Sequence, residues 1–253
     1  MSRKARKTSC TGVYHVVIRG MDRQRLFEDD KDYYKYLDLL AAYKKKCDFK
    51  VFAYCLMGNH VHLLLYCTTM PIGEIMHFVS TKYACWFNEK YERVGHLQQD
   101  RFYSEVVETE EYFCAAFRYI HHNPLKAKLE NAVGESYKWS SFREYRGDFS
   151  LVVDPTQAIR IFGSRERILS YLQQESTIEC LDIDRHGTRI SDEAARQIIT
   201  KASGYKDTRN LANACATDRE RLVQEVYTKG LTISQINRLT GITRGVLRRI
   251  LGK

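Results

Sequence analysis

Nowhere in this chain do apolar residues run uninterrupted for anything near the roughly 18 that a bilayer requires, which excludes a membrane-spanning helix. The first ten residues, MSRKARKTSC, are basic but have no apolar stretch behind them, so no secretory signal is expected and the expected compartment is the cytoplasm. None of the eight cysteines belongs to a C-x-x-C pair. At positions 10, 47, 55, 67, 85, 114, 180 and 215 they lack the clustered spacing of a zinc site or a disulfide framework, and reduced, buried thiols are expected. Internal repeats and low-complexity segments are missing as well. Acidic residues are absent from Val226 onward, whereas Lys229, Arg238, Arg244, Arg248, Arg249 and Lys253 all fall there. A one-signed local field of that kind attracts a polyanion, most commonly nucleic acid, although a solvated basic face has the same composition.

What is present suffices for a substantial core. A chain of 253 residues buries roughly 70–75% of its unfolded surface and folds without metal or disulfide. Forty Lys and Arg against 31 Asp and Glu give a net charge of +9, and 44% hydrophobic with 28% charged residues is a globular balance.

The segment GVYHVVIR, residues 12–19, is rich in β-formers and stops at Gly20, so a strand is expected. Asp29 or Asp30 then caps a helix to about Lys46, with Tyr36, Leu40, Tyr43 and Cys47 at helical spacing. FKVFAYCLM (49–57) and HVHLLLYC (60–67) are two β-type runs separated by Gly58-Asn59, a hairpin signal. Pro71 opens a second helix bearing Ile72, Ile75, Met76, Val79, Tyr83 and Trp86 on one side. Phe102 to Glu108 reads as a fourth strand, and Thr109 caps a third helix that Pro124 should end near Asn123. The order β-α-β-β-α-β is the ferredoxin-like split motif, an α+β sheet with helices packed on one face. Past about residue 150 the strand signals vanish. The expected division is therefore 1–150 and a mostly helical region 151–253, with short caps such as Ser164 and Ser191 and breaks at Asp154-Pro155 and His186-Gly187.

His60-Val61-His62 opens the third strand. Residues i and i+2 of a strand share a face, so both imidazoles can grip one metal ion, or simply sit on a half-exposed sheet surface. In Tyr119-Ile120-His121-His122-Asn123 the tyrosine and asparagine are four apart and share a helix face. Aimed at the two histidines, they would supply a nucleophile and a third ligand. A phenol with a pKa of about 10 is a poor nucleophile at neutral pH and needs a nearby cation and a polarised phosphate. Core packing of Tyr112, Ala116 and Tyr119 is the plain alternative.

Five motifs in order, GVYHVVIRGMDRQRLF, AYCLMGNHVHLLL, RFYSEVVETEEYF, YIHHNPLKAKL and YKWSSF, together with the later FGSRERILSYL, resemble the REP-associated tyrosine transposases. These belong with the single-tyrosine transposases of bacterial insertion sequences, which carry a histidine–hydrophobic–histidine motif. The resemblance implies a single-stranded DNA endonuclease and strand transferase acting on hairpin DNA. It implies that His60, His62 and Asn123 are metal ligands, that the metal is Mg²⁺ or Mn²⁺, and that Tyr119 is the nucleophile, leaving a 5′-phosphotyrosine and a free 3′-OH. No nucleotide cofactor is implied, in line with the lack of a G-x-x-x-x-G-K-[ST] loop. A bacterial, nucleoid-associated location and an at least transient homodimer follow from the same resemblance, since one tyrosine makes one covalent link. Gly58 stands where many relatives have proline, and Met21 where asparagine often follows Arg-Gly.

The segment LTISQINRLTGITRGVLRRIL, residues 231–251, fits a helix-turn-helix template. Thr232 or Ser234 would cap its first helix, Gly241 would make the turn, and Ile242, Leu247 and Ile250 would face inward. Arg244, Arg248 and Arg249 would then reach DNA; the alternative is a plain helical hairpin that packs against the first region. Asn237 occupies a position where such motifs usually carry a small apolar residue. Arg3, Lys4, Arg6 and Lys7 could form a DNA-reaching arm or, equally, a solvated tail, and Arg19, Arg23 and Arg25 could track a DNA backbone. Two other functions fit parts of the pattern. A non-cleaving DNA-binding regulator would use the helix-turn-helix alone, and a metallohydrolase would use water in place of Tyr119.

Overall fold

A computed structural model describes residues 6–99, 101–147, 151–174, 180 and 192–252. Arg3, Lys4, Ser191 and the His186-Gly187 break lie outside the described residues. The chain divides into two compact units, Met1–Asp182 and Ile183–Lys253.

In the first unit, β1 (Val13–Arg19), β2 (Phe49–Met57), β3 (His60–Cys67) and β4 (Tyr103–Val106) form one antiparallel sheet in the order β2-β3-β1-β4. Helices α1 (Asp30–Lys46) and α2 (Ile72–Lys90) make the two crossovers and pack on each other. This is the ferredoxin-like order expected from the pattern. Asp29 closes α1 with a capping box, its carboxylate accepting from Lys31 N and Asp32 N while Asp32 reaches back. Lys90, at the end of α2, holds both carboxylates at 2.7–2.8 Å, tying the start of one helix to the end of the other. Val16, Ile18, Val61, Leu63 and Leu65, on the sheet face away from the histidines, are 0–1% exposed.

The third helix, α3 (Glu110–Lys126), packs against β2 and β3 and covers the histidine-bearing face. Thr109 caps it through Tyr112 N, as expected. It does not stop before Pro124 but continues to Lys126. Proline lacks only the single N–H that would have reached Ile120 O, and near a helix end that loss is tolerated. The following bonds persist, Ala127 N to Asn123 O at 3.0 Å and Leu129 N to Pro124 O at 2.9 Å. The fourth strand is shorter than the expected Phe102–Glu108, because it is an edge paired only with β1.

The YKWSSF segment stitches the other edge, at β2. Leu56 N donates to Trp139 O (2.9 Å), Ser141 N to Tyr54 O (3.0 Å) and Tyr137 Oη to Leu56 O (2.6 Å). The Trp139 ring stacks on Tyr33 with centroids 4.3 Å apart. Beyond α4 (Phe142–Arg146), the buried Glu144 carboxylate accepts from the N–H groups of Leu151, Val152 and Val153 at 2.8–3.0 Å. Helices α5 (Thr156–Phe162) and α6 (Arg165–Leu172), the latter capped by Ser164, add Ala158, Ile168 and Leu172 to the same core. The expected boundary near residue 150 is thus displaced: residues 151–174 complete the first unit. Of the cysteines, all free, Cys47, Cys55, Cys67 and Cys180 are buried, but Cys10, Cys85 and Cys215 are exposed.

The second unit is helical: α7 (Asp192–Ser203), a 3₁₀ turn (Thr208–Asn213), α8 (Ala216–Thr228), α9 (Ile233–Thr240) and α10 (Arg244–Ile250). Its separate core includes Ile199, Leu211, Val223, Val226, Ile236, Leu239 and Leu247. Thr232 caps α9 in a capping box with Gln235, and Gly241 takes the left-handed conformation (φ +80°) that turns the chain into α10. Asn237 donates its Nδ2 to Ile242 O at 2.8 Å, so a polar residue here closes the turn. Among the described residues no helix is long and apolar enough to cross a membrane.

Candidate active site

Strand register assembles the site. Val17 pairs with His62, Arg19 with His60 and His15 with Leu64, so alternation puts His15, Arg19, His60 and His62 on one face. The turn before His60 is clasped from outside: Gly20 N donates to Asn59 O (2.9 Å) and Leu26 N to Gly58 O (2.8 Å). A Cβ at Gly20 would lie 2.1 Å from Gln24 O, which explains the glycine after Arg19. At Gly58 a Cβ would meet nothing within 4 Å and φ is not left-handed, so the backbone there does not require glycine.

From α3, Tyr119 descends between the histidines. Its ring centroid lies 5.6 Å from that of His62 and 5.9 Å from that of His15, both in edge-on geometry. The rings of His60 and His62 are 5.1 Å apart. Asn123 follows one turn on, its Nδ2 donating to Tyr119 O (2.9 Å), which leaves Oδ1 as the amide's acceptor for a ligand. Lys126, two turns on, places its ammonium 4.0 Å from the centre of the Tyr119 ring. The continuation of α3 past Pro124 carries it there.

Behind the two histidines lie polar partners that residue spacing does not identify. Asn59 Oδ1 is 2.7 Å from His60 Nδ1, and His15 Nε2 is 3.3 Å from His62 Nδ1. In each ring the nitrogen engaged from behind is Nδ1. Burial first, then His60, His15 and the Lys126 charge, hold the His62 imidazole well below its ordinary pKa. Burial alone pushes His15 down to about 3. Both rings are therefore neutral at pH 7, the form in which an imidazole offers a lone pair to a metal.

The other histidines of the helix motif serve the scaffold. His121 Nδ1 donates to Phe117 O (2.7 Å) and its Nε2 accepts from Ser141 Oγ (2.8 Å), while His122 Nε2 donates to Leu172 O (2.7 Å). Among the described residues no three His, Cys, Asp or Glu side chains converge to hold a metal. A divalent ion would have to draw on His60, His62, the Asn123 amide oxygen, substrate oxygens and water. Two neutral imidazoles and one amide oxygen suit such an ion while leaving positions open, so the residues fit.

The expected DNA-contacting arginines divide. Arg19 is buried beside His60, on the site's own face, rather than on an outer surface. Arg25 is exposed, with Nε donating to Phe27 O (3.1 Å) and paired with Glu28 (3.4 Å). The Arg23 side chain lies outside the described residues. Arg6 is not a loose arm: its guanidinium lies 3.7 Å over the Phe102 ring and donates to Phe102 O. In the second unit, Arg244, Arg248 and Arg249 are all exposed on α10.

Residues 8–123, the stretch that builds this sheet and delivers Tyr119 and Asn123, match the family model described as transposase, IS200 like. This part of the chain resembles an IS200-like transposase domain. The solved structure of a REP-associated tyrosine transposase bound to a REP hairpin has the same fold, with a TM-score of 0.50 and 16% identity over 61% of this chain and 92% of that one. A transposase candidate from Deinococcus radiodurans R1 aligns over 47% of this chain and 95% of its own at 19% identity, with a TM-score of 0.35. No curated protein matches. The matched stretch is just under half of the chain, and the first unit continues beyond it through α4–α6 before the second unit begins.

Proposed function

We propose that this IS200-like transposase is a metal-dependent endonuclease and strand transferase for hairpin-forming single-stranded DNA, and that it works through a 5′-phosphotyrosine on Tyr119. The observation that carries the reading is the packing of Tyr119 edge-on to His62 with Lys126 over its ring. A structural role for the tyrosine alone would not call for a cation and two neutral imidazoles around it. In the reaction, Tyr119 Oη loses its proton and attacks the scissile phosphorus. The Tyr–O–P bond forms as the P–O3′ bond breaks, and the 3′ oxygen takes up a proton to become the free hydroxyl. A 3′-OH, from the same or another strand, reverses the step and joins DNA without ATP.

His60, His62 and Asn123 are the proposed metal ligands, with Mg²⁺ or Mn²⁺ bound and Mn²⁺ the tighter. Such an ion supplies Lewis-acid polarisation of the phosphate. Arg19, on the same face, is suited to a phosphate oxygen, and Lys126 offsets charge growing on the phenol oxygen. DNA as partner is supported by the REP hairpin held by the structurally similar transposase. A helix-turn-helix role for α9–α10 is supported by their short glycine turn and the three exposed arginines. A complete excision takes two active sites or two successive reactions, which favours a homodimer during the reaction.

The test is a denaturing gel of protein with labelled hairpin-flanked single strands, with Mn²⁺ or EDTA, using wild type and Tyr119→Phe. A protease-sensitive covalent band that needs both metal and Tyr119 is expected. Cleavage that persists in Tyr119→Phe would replace the mechanism with attack by water. Hairpin binding without any adduct would make the protein a non-cleaving regulator.

A further inference from the structure

His15 lies at the centre of β1, fully buried, and its Nε2 is 3.3 Å from His62 Nδ1. One proton is shared across that contact when both rings are neutral. If His15 donated it, His62 would carry its own proton on Nε2, and the nitrogen facing the site would have no lone pair to offer. If His62 donates, its Nε2 is bare and His15 keeps its proton on Nδ1. In either arrangement His15 Nδ1 has no hydrogen-bond partner, so the outer end of His15 does not determine the choice. The neighbouring ligand supplies the precedent, since Asn59 Oδ1 faces His60 Nδ1 and an amide oxygen can only accept. Rings that bind metal are commonly oriented by a hydrogen bond from their other nitrogen.

We propose that His15 is a positioning residue for the metal site: by accepting from His62 Nδ1–H it locks the His62 ring in the tautomer whose Nε2 faces Tyr119 and the metal. The proposal rests on the metal reading of His60 and His62 for its function, but its structural content, the tautomer of His62, does not. The role is not a core-packing one alone. A buried aromatic ring of similar size fills the same space without accepting a proton, and that difference can be measured.

The test has two parts. Long-range ¹H–¹⁵N spectra of histidine-labelled, metal-free protein at neutral pH, assigned with His62→Gln, report the tautomer directly. His62 is expected with Nδ1 protonated and Nε2 bare; a protonated Nε2 overturns the proposal. Mn²⁺ titrations followed by the free-ion EPR signal then compare wild type with His15→Phe, His15→Gln and His62→Ala, each checked by thermal melting. His15→Phe is expected to weaken Mn²⁺ binding about ten- to a hundredfold. His15→Gln, whose amide oxygen can accept from the same N–H, is expected to recover most of it. If His15→Phe binds as tightly as wild type while His62→Ala does not, the positioning role is wrong and the metal site stands. If wild type and His62→Ala bind equally weakly, the metal reading fails, and the tautomer spectrum alone judges His15. Should His15→Phe fail to fold, His15→Gln and the spectrum carry the test.

Discussion

The Lys126 ammonium stands 4.0 Å from the centre of the Tyr119 ring, and both residues come from one helix, seven positions apart. A cation over the ring stabilises a phenol oxygen as it gains negative charge. Lys126→Met is expected to slow single-turnover adduct formation about tenfold, equivalent to roughly 1.4 kcal/mol, with little change in the melting temperature. Quench-flow with labelled hairpin DNA measures it, and an unchanged rate would remove Lys126 from the reaction.

The two proposed ligands differ in burial: His62 is 2% exposed, whereas His60 is partly exposed. Both His60→Ala and His62→Ala should abolish Mn²⁺-dependent cleavage. Urea melts should separate them, His62→Ala costing about 2 kcal/mol and His60→Ala under about 0.5 kcal/mol. Equal stability costs would contradict the packing described.

Acid should weaken the first unit through its buried histidines. Burial pushes His121 down from 6.5 to about 4, against a partly offsetting hydrogen bond to Phe117 O. The unfolded chain therefore binds the proton first, so stability is full above about pH 6.5 and falls as pH drops toward 4. His121 alone accounts for about 3 kcal/mol of this loss. Urea melts from pH 7 to 4 should show the decline, and His121→Gln should make it shallower.

Glu144 holds residues 151–153 through three N–H groups on one carboxylate oxygen. Glu144→Ala leaves those donors unsatisfied and should cost about 3 kcal/mol. Limited proteolysis should then cut near residue 150 in the variant at concentrations that spare wild type. Protection unchanged from wild type would mean that other contacts hold the segment.

The exposed arginines of α10 give a prediction about salt. Arg248→Ala and Arg249→Ala should each weaken DNA binding and reduce the slope of log K against log salt by about 1, if they meet phosphates. Arg244→Ala should behave likewise or, if it reads a base edge, cost about 1–3 kcal/mol on one sequence only. Fluorescence anisotropy across a salt series distinguishes these, and three silent variants would end the DNA-binding reading of α9–α10.

Several elements were legible because their signals are local. The β-type run 49–57, the Gly58-Asn59 turn and the run 60–67 became β2, turn and β3 with the same limits, and alternation within β3 put His60 and His62 on one face. Tyr119 and Asn123 share a helix face by spacing alone. Pro124 misled, because a proline near a helix end removes one bond without stopping the chain. The boundary near 150 misled because strand signals stop there, while the contacts that keep residues 151–174 in the first core come from Glu144, Val51 and Lys44.

Local patterning thus encodes the order of elements, the side on which strand and helix residues fall, and the motif that relates residues 8–123 to IS200-like transposases. Which of those sides meet is visible only in the folded chain. His15 and His62 are 47 positions apart and Lys44 and Val152 are 108 apart, and no periodicity along a chain encodes such a contact. Periodicity reports which face a residue occupies, whereas strand order and helix packing choose the face opposite it. That choice brings a histidine from β1 behind His62 and a tyrosine from α3 in front of it.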